Sequence, residues 1–191
     1  MKNIFILFIL ILITNSAYSQ DKDEKIVPQA EQFKDEKAVT QAEQFSATAG
    51  TLIEKKIIDI GKIKGVSIQV MKLKDLISGD VISALRFEYE YRTSYTSDTK
   101  IATLDLDEID GLLKATNSIK NTVFKSTPDT YTEVTFISRT GFKAGAYYDV
   151  NKSKWFAYLK LEQYDSNSRV FLNTEDFDLI LKLVEQAKTK M

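Results

Sequence analysis

The densest group of potentially reactive side chains is the acidic run that begins at Asp105, with the sequence Asp-Leu-Asp-Glu-Ile-Asp. Clustered carboxylates can bind Ca²⁺ or act as general acids and bases. A calcium-binding EF-hand loop needs acidic or amide residues at its first, third and fifth positions and glycine at its sixth. Counted from Asp105, the fifth position is Ile109 and the sixth is Asp110. The spacing therefore does not fit that calcium loop.

The same run has the pattern of a helix start. Asp105 would be the N-cap residue, Glu108 its reciprocal partner, and Leu104 with Ile109 the hydrophobic staple. Acidic residues in the first turn also complement the helix dipole. We therefore predict a capping role for these acids and no metal site.

A second segment repeats this device. Residues 172–182 align without a gap to residues 104–114, and Asn173 and Asp176 take the places of the N-cap and its partner. Leu172 and Phe177 would form the second hydrophobic staple. A device that occurs at two helix starts favours an architectural role over a catalytic one.

Two residue types that carry much enzyme chemistry are absent, because the chain has no histidine and no cysteine. This excludes histidine-based triads, thiol nucleophiles and zinc-thiolate sites. The glycines do not form a phosphate-binding loop, so we predict no catalytic residue, no bound metal and no cofactor. The alternative hypothesis is a carboxylate-dependent hydrolase that acts on an envelope or extracellular substrate. Its candidate residues are Asp107, Asp110, Glu162 and Asp178.

Aromatic residues make both faces of one predicted strand apolar. In residues 155–162, Phe156 and Tyr158 alternate with an apolar set that begins at Trp155. A sheet with only one covered face should alternate apolar with polar residues. Either the C-terminal helix packs on the second face, which is the ordinary explanation, or that face binds a partner. The candidate binding residues are Tyr147, Phe156, Tyr158 and Phe171, for a small molecule, a glycan or a protein.

The remaining pattern predicts the elements that position these residues. Strand-like segments occur at 52–62, 66–73, 81–92, 101–104, 132–138, 142–149, 155–162 and 169–172, with helical spacing at 109–119 and 174–188. Together with the repeated helix start, this order predicts an α+β fold. It has two pseudo-repeated halves, each of several antiparallel strands followed by one α-helix, which form one domain over residues 50–191.

The N-terminus has the pattern of a secretory signal peptide. Lys2 precedes an uninterrupted apolar run at residues 4–13, and Ala17 and Ser19 are small residues at the positions that a signal peptidase reads. The apolar run is shorter than the roughly 20 residues that span a bilayer. We predict a signal peptide at residues 1–19, no membrane span in the mature chain, and export to the periplasm or the extracellular medium.

Residues 22–33 and 34–45 form a tandem duplication that is identical at ten of twelve positions. Their low apolar content predicts a flexible linker over residues 20–49. The alternative is a short helix or docking peptide that presents Phe33 and Phe45. Two copies are too few for a solenoid, which needs at least three repeats.

The charge balance bears on the partner. The chain has 26 basic and 27 acidic residues, whereas nucleic-acid binding requires a concentrated basic surface. We therefore predict no nucleic-acid partner. The leading hypothesis is an exported, non-catalytic binding or interaction protein, for which a homodimer remains open.

Overall fold

The structure is a computed structural model that describes residues 38–191. Within this range the chain forms three α-helices and eight β-strands. In chain order they are α1 (Gln41–Ser46), β1 (Ile53–Ile63), β2 (Val66–Asp75), β3 (Val81–Arg92), β4 (Ser97–Asp105), α2 (Leu106–Asn121), β5 (Thr132–Ile137), β6 (Lys143–Asp149), β7 (Lys154–Lys160), β8 (Arg169–Leu172) and α3 (Asp176–Lys188).

The first sheet is an antiparallel meander in the order β1-β2-β3-β4. Its first hairpin turns at Lys64 and Gly65, whose φ angles are 47° and 85°. Two successive positive φ values are typical of a two-residue hairpin turn whose twist matches the strands. In β3, Leu85 and Phe87 are fully buried, whereas the alternate residues Arg86 and Glu88 are only partly buried.

The second sheet repeats this topology in the order β5-β6-β7-β8, and a helix again follows the last strand. Each half of the domain is therefore a four-stranded antiparallel meander followed by one helix. This confirms the predicted α+β fold with two related halves.

Both sheets and both long helices contribute to one hydrophobic core. Helix α2 lies against strands of both sheets, whereas α3 lies against β1, β2 and β3 of the first sheet and against α2. The approach of α3 is close, since a Cβ atom placed on Gly61 would lie 2.6 Å from a methyl carbon of Leu183. The helix of the second half thus covers the sheet of the first half.

Helix α1 lies on the opposite face of the first sheet. Its Ala42 is fully buried, and Phe45 packs on the side chains of Met71, Leu73 and Ala84. The low apolar content of the duplication predicts a flexible linker over residues 20–49, with a short helix as the alternative. Within the described residues Gln41–Ser46 forms a short helix, which Thr40 caps and which packs on the sheet through Ala42 and Phe45.

The predicted signal peptide and the first copy of the duplication lie outside the described residues. In the part of the chain from residue 38 onwards, no helix has the length and apolar content needed to cross a membrane.

Candidate functional site

The four aromatic residues singled out from the sequence lie on one face of the second sheet. Tyr147 of β6 is directly opposite Phe156 of β7, and Tyr158 of β7 is directly opposite Phe171 of β8. The alternate residues of these strands, such as Ala146 and Ala157, point into the core and are fully buried. Tyr131, just before β5, joins the group. We call the surface formed by Tyr131, Tyr147, Phe156, Tyr158 and Phe171 the aromatic face.

Three of these rings form a stacked row across the sheet. The ring centroids of Tyr131 and Tyr147 are 6.2 Å apart, and those of Tyr147 and Phe156 are 5.4 Å apart with an interplanar angle of 16°. Tyr147 lies in the middle of the row and stacks on both neighbours, whereas Tyr131 at one end is 65% exposed. The row therefore presents a continuous apolar surface across β6 and β7.

Cationic side chains surround the row. The Nζ atoms of Lys152 and Lys154 lie 5.1 and 5.7 Å from the ring centroid of Phe156. The Cζ atom of Arg169 lies 5.0 Å from that of Tyr158. Lys143 and Lys160 are opposite each other on β6 and β7. The acids on the four strands of the second sheet are Glu133 and Asp149. The face is thus positively charged, although the whole chain carries a net charge of −1.

Tyr158 differs from the other rings because it is buried, with 1% of its surface exposed. Its hydroxyl donates a hydrogen bond to Glu133 at 2.5 Å and lies 2.9 Å from the hydroxyl of Thr135. Burial, reinforced by the hydrogen bond to Glu133, raises the pKa of Tyr158 to about 12. The same hydrogen bond lowers the pKa of Glu133. Tyr158 therefore joins β7 to β5 and supports the face from below.

Gly145 makes this connection possible. It lies on β6 between Thr135 of β5 and Tyr158 of β7. A Cβ atom at this position would be 2.6 Å from the carbonyl oxygen of Val134 and 2.8 Å from the Thr135 hydroxyl. Because Gly145 has no side chain, the Tyr158 side chain can cross β6 and reach β5.

A groove of about 380 Å³ borders the aromatic face at the end of β8. Phe156 and Phe171 form its apolar wall, and Lys64 and Lys154 supply two ammonium groups. Asn173, Thr174 and Glu175 complete the polar side of the groove. Lys64 belongs to the β1–β2 turn, so both halves of the domain contribute to this groove. Its mixture of rings and cations suits a ligand group that is both apolar and negatively charged.

The C-terminal helix does not cover the aromatic face, contrary to the ordinary explanation of its apolar residues. Helix α3 lies against the first sheet. Within the described residues, Tyr131 and Phe171 remain 65% and 57% exposed. Tyr147 and Phe156 are half-buried, because their rings cover each other.

The four carboxylates of the hydrolase alternative each lie beside a cation. Asp107 is 2.7 Å from the guanidinium of Arg139, and Glu162 is 3.9 Å from the Lys100 ammonium. Asp110 pairs with Lys188 and Asp178 pairs with Lys120, and these two ion pairs join α2 to α3. Each of the four carboxylates thus has an ion-pair partner.

The acidic run caps α2 as predicted: Asp105 is the N-cap residue, and the Glu108 carboxylate accepts its N–H at 3.0 Å. At the second helix start the Asp176 carboxylate accepts the Asn173 N–H at 2.8 Å. The prediction of Asn173 as the N-cap is nevertheless wrong, because a turn occupies residues 174 and 175 and α3 begins at Asp176 after Glu175. Asp105, Asp107 and Glu108 have carboxylate oxygens within 4.8 Å of one another, an arrangement that could hold a cation. Arg139 supplies that positive charge, since its guanidinium pairs with all three.

Sequence reasoning missed part of the site. Tyr131 precedes its strand, and Lys64 belongs to the other half of the chain, so neither shares the alternation that identified the four aromatic residues. Lysines at positions 152, 154 and 160 lie close to the aromatic residues of β7 in the sequence, and they indicated the cations that surround the aromatic face.

Comparison with known proteins finds no matching family model, no curated protein with significant similarity and no similar solved structure.

Proposed function

We propose that this chain is an exported, non-catalytic binding protein whose aromatic face binds an acidic glycan. The observation that carries the proposal is a row of stacked rings, bordered by cations, on a sheet face against which no described helix packs. Export is supported by the signal-peptide pattern of residues 1–19.

The charge of the face favours an anionic partner. Lys143, Lys152, Lys154, Lys160 and Arg169 outnumber the nearby acids Glu133, Asp149 and Glu175. Glu133 is bonded to Tyr158, and Asp149 pairs with Lys152 at 3.3 Å. Electrostatic complementarity of this kind directs association and selects partners. A neutral ligand would gain nothing from these cations.

The shape of the face favours an extended ligand over a small molecule. Small-molecule sites are concave and enclose most of the ligand surface, whereas the ring row lies on an open sheet. An acidic glycan combines apolar C–H surfaces, which can pack on the exposed rings of Tyr131 and Phe171, with carboxylates or sulfates for the lysines. The groove between Phe156 and Phe171 would then hold one sugar unit and its acidic group.

The proposal is tested by measuring binding of an acidic and a neutral polysaccharide, polygalacturonate and dextran, by isothermal titration calorimetry. We expect binding of polygalacturonate only, and weaker binding as salt concentration rises. Phe156→Ala combined with Phe171→Ala should reduce the affinity at least tenfold, in line with the loss of central aromatic contacts. The matched control is Tyr95→Ala, an aromatic that is 96% exposed on the first sheet's distal hairpin, which should bind like the parent chain.

Equal binding of both polysaccharides would overturn the anionic preference. Unchanged binding by the Phe156/Phe171 variant would remove the aromatic face as the site. If native mass spectrometry of protein taken from its own compartment shows a second protein instead of a glycan, the partner class is wrong even though the protein binds.

A further inference from the structure

A seat for a short helix lies on the outer face of the first sheet, the face opposite the main core. We call it the α1 seat, and it is formed by Met71, Leu73, Ala84 and Asp105. In the structure it is filled by α1. The first five residues of α1, 41–45, are the last five residues of the second repeat copy, and Ser46 follows them. This binding surface is independent of the aromatic face.

The seat holds α1 through a few specific contacts. Asp105 is 2% exposed, and its carboxylate accepts the backbone N–H groups of Gln41 at 2.8 Å and Ala42 at 3.3 Å. The Ala42 methyl group is fully buried, and the Phe45 ring packs on the apolar part of the seat. A residue larger than alanine at position 42 would not fit without displacing the sheet side chains.

The first repeat copy carries the same contact residues at the same spacing. Residues 29–33 read Gln-Ala-Glu-Gln-Phe, which is identical to residues 41–45. Ala30 therefore corresponds to Ala42, and Phe33 corresponds to Phe45. The two copies differ at two positions, Ile26 against Ala38 and Pro28 against Thr40, and Ala38 is exposed.

The replacement of Thr40 by proline in the first copy is compatible with the seat. Thr40 has φ −74° and ψ 159°, and proline requires φ near −65°. The Thr40 N–H bonds to the Glu43 side chain at 2.9 Å, so proline would break no backbone–backbone hydrogen bond. The carbonyl that accepts the Gln44 N–H at 3.0 Å would remain available.

Proline would nevertheless weaken the docked helix. Thr40 caps α1 by accepting the Glu43 N–H at 3.0 Å, and proline has no hydroxyl group to do so. Loss of an N-cap of this type corresponds to roughly a fivefold decrease in the helix equilibrium. The first copy should therefore dock at the same place with a roughly fivefold lower equilibrium constant than the second copy.

We propose that the α1 seat accepts either repeat copy of its own chain, so that residues 22–33 dock when residues 34–45 leave. The seat would then hold the N-terminal segment at either of two chain positions twelve residues apart. When the first copy is docked, residues 34–52 connect it to β1, which is more chain than the docked second copy requires. The first repeat copy could thus replace α1 in the α1 seat.

The test compares Ala42→Glu, Ala30→Glu and the double variant in the full chain. A glutamate at either position would bring a charged side chain into the buried site beside Asp105. Ala30→Glu should leave stability nearly unchanged, and Ala42→Glu should lower the folding equilibrium constant by roughly sixfold, since the first copy takes over. The double variant should lose far more than the product of the single effects. If the double variant is no less stable than Ala42→Glu, the proposal is overturned.

Amide hydrogen exchange gives a second readout that does not depend on global stability. In Ala42→Glu, protection should appear at residues 29–33, and adding Pro28→Thr should increase it by roughly fivefold. Exchange at these residues that is identical in Ala42→Glu and in the double variant would overturn the proposal. So would protection that rises with protein concentration, because that would assign the docking to a second chain.

Discussion

Asp105 connects three elements that are far apart in sequence. Asp105 is the last residue of β4 and the N-cap residue of α2. Its buried carboxylate accepts N–H groups from α1 and pairs with Arg139, which lies in the turn between β5 and β6. A buried charge is costly unless its partners replace the lost water. The acid that looked like a metal ligand in the sequence therefore holds the two halves and the N-terminal helix together.

Replacing Asp105 with asparagine should destabilise the protein by about 2–4 kcal/mol, because Arg139 and two N–H groups lose their charged acceptor. Asp107→Asn is the matched control, since Asp107 also bonds to Arg139 but its side chain is 55% exposed. That change should cost about 1 kcal/mol or less. Denaturant unfolding of both variants measures the difference, and equal losses would contradict this role for Asp105.

Tyr158 should give the protein a specific alkaline pH dependence. Its pKa is raised to about 12 in the folded chain, above the value of about 10 in an unfolded chain. Between these values the folded state binds more protons than the unfolded state, so stability should fall as pH rises from about 10 to 12. The loss should be on the order of 2 kcal/mol and should be smaller in Tyr158→Phe. Absorbance titration should show one late-ionising tyrosine fewer in that variant, and an unchanged titration would contradict the assignment.

At the scale of elements, a glycine allows a neighbouring element to approach each sheet closely. Gly61 on β1 faces the flexible end of Leu183 on α3, whereas Gly145 on β6 faces the backbone of β5. A side-chain methyl can shift, but a strand carbonyl in a ladder cannot shift without breaking pairing. The two glycines therefore differ in how much an added methyl group should cost.

Gly145→Ala should destabilise the protein by about 2–3 kcal/mol, more than Gly61→Ala, because overpacking costs more where the neighbour is fixed. It should also disturb the Tyr158–Glu133 hydrogen bond, since Tyr158 crosses β6 at this glycine. Thermal unfolding of both variants checks the order. A smaller loss in Gly145→Ala than in Gly61→Ala would show that β5 is not held in place as described.

The order of elements was predictable because alternation in the strands and helical spacing in 109–119 and 174–188 are local properties. The position of α3 was not, since no local pattern says which sheet a helix covers. Helix α1 was predicted only as the alternative to a linker, because its burial depends on contacts of Ala42 and Phe45 with a sheet that is distant in sequence. The same limit applies to the aromatic face: shared orientation followed from alternation, but the stacking of Tyr131 on Tyr147 depends on the pairing of β5 with β6.

At the scale of the whole molecule, basic and acidic residues nearly balance in number, but they are unevenly distributed over the surface. Cations concentrate around the aromatic face, while the chain as a whole has a net charge of −1. Because this charge is local, a balanced total charge does not exclude an anionic partner. The site, not the average, sets the electrostatic preference.

The proposed export predicts where the mature chain begins. Intact-mass measurement of the protein from its native envelope or medium should give the mass of residues 20–191, with Gln20 at the N-terminus. Signal peptidase requires small residues before the cut, so replacing Ala17 and Ser19 with arginine should leave the uncleaved chain in the membrane fraction. An unprocessed parent chain recovered from the cytosol would contradict export.

The placement of α3 on the first sheet also bears on whether one half of the chain could stand alone. Helix α3 covers the first sheet, and α2 contacts strands of both sheets, so the packing of each half depends on the other. A gene for the first half alone should therefore yield a protein whose sheet lacks the helix that covers it.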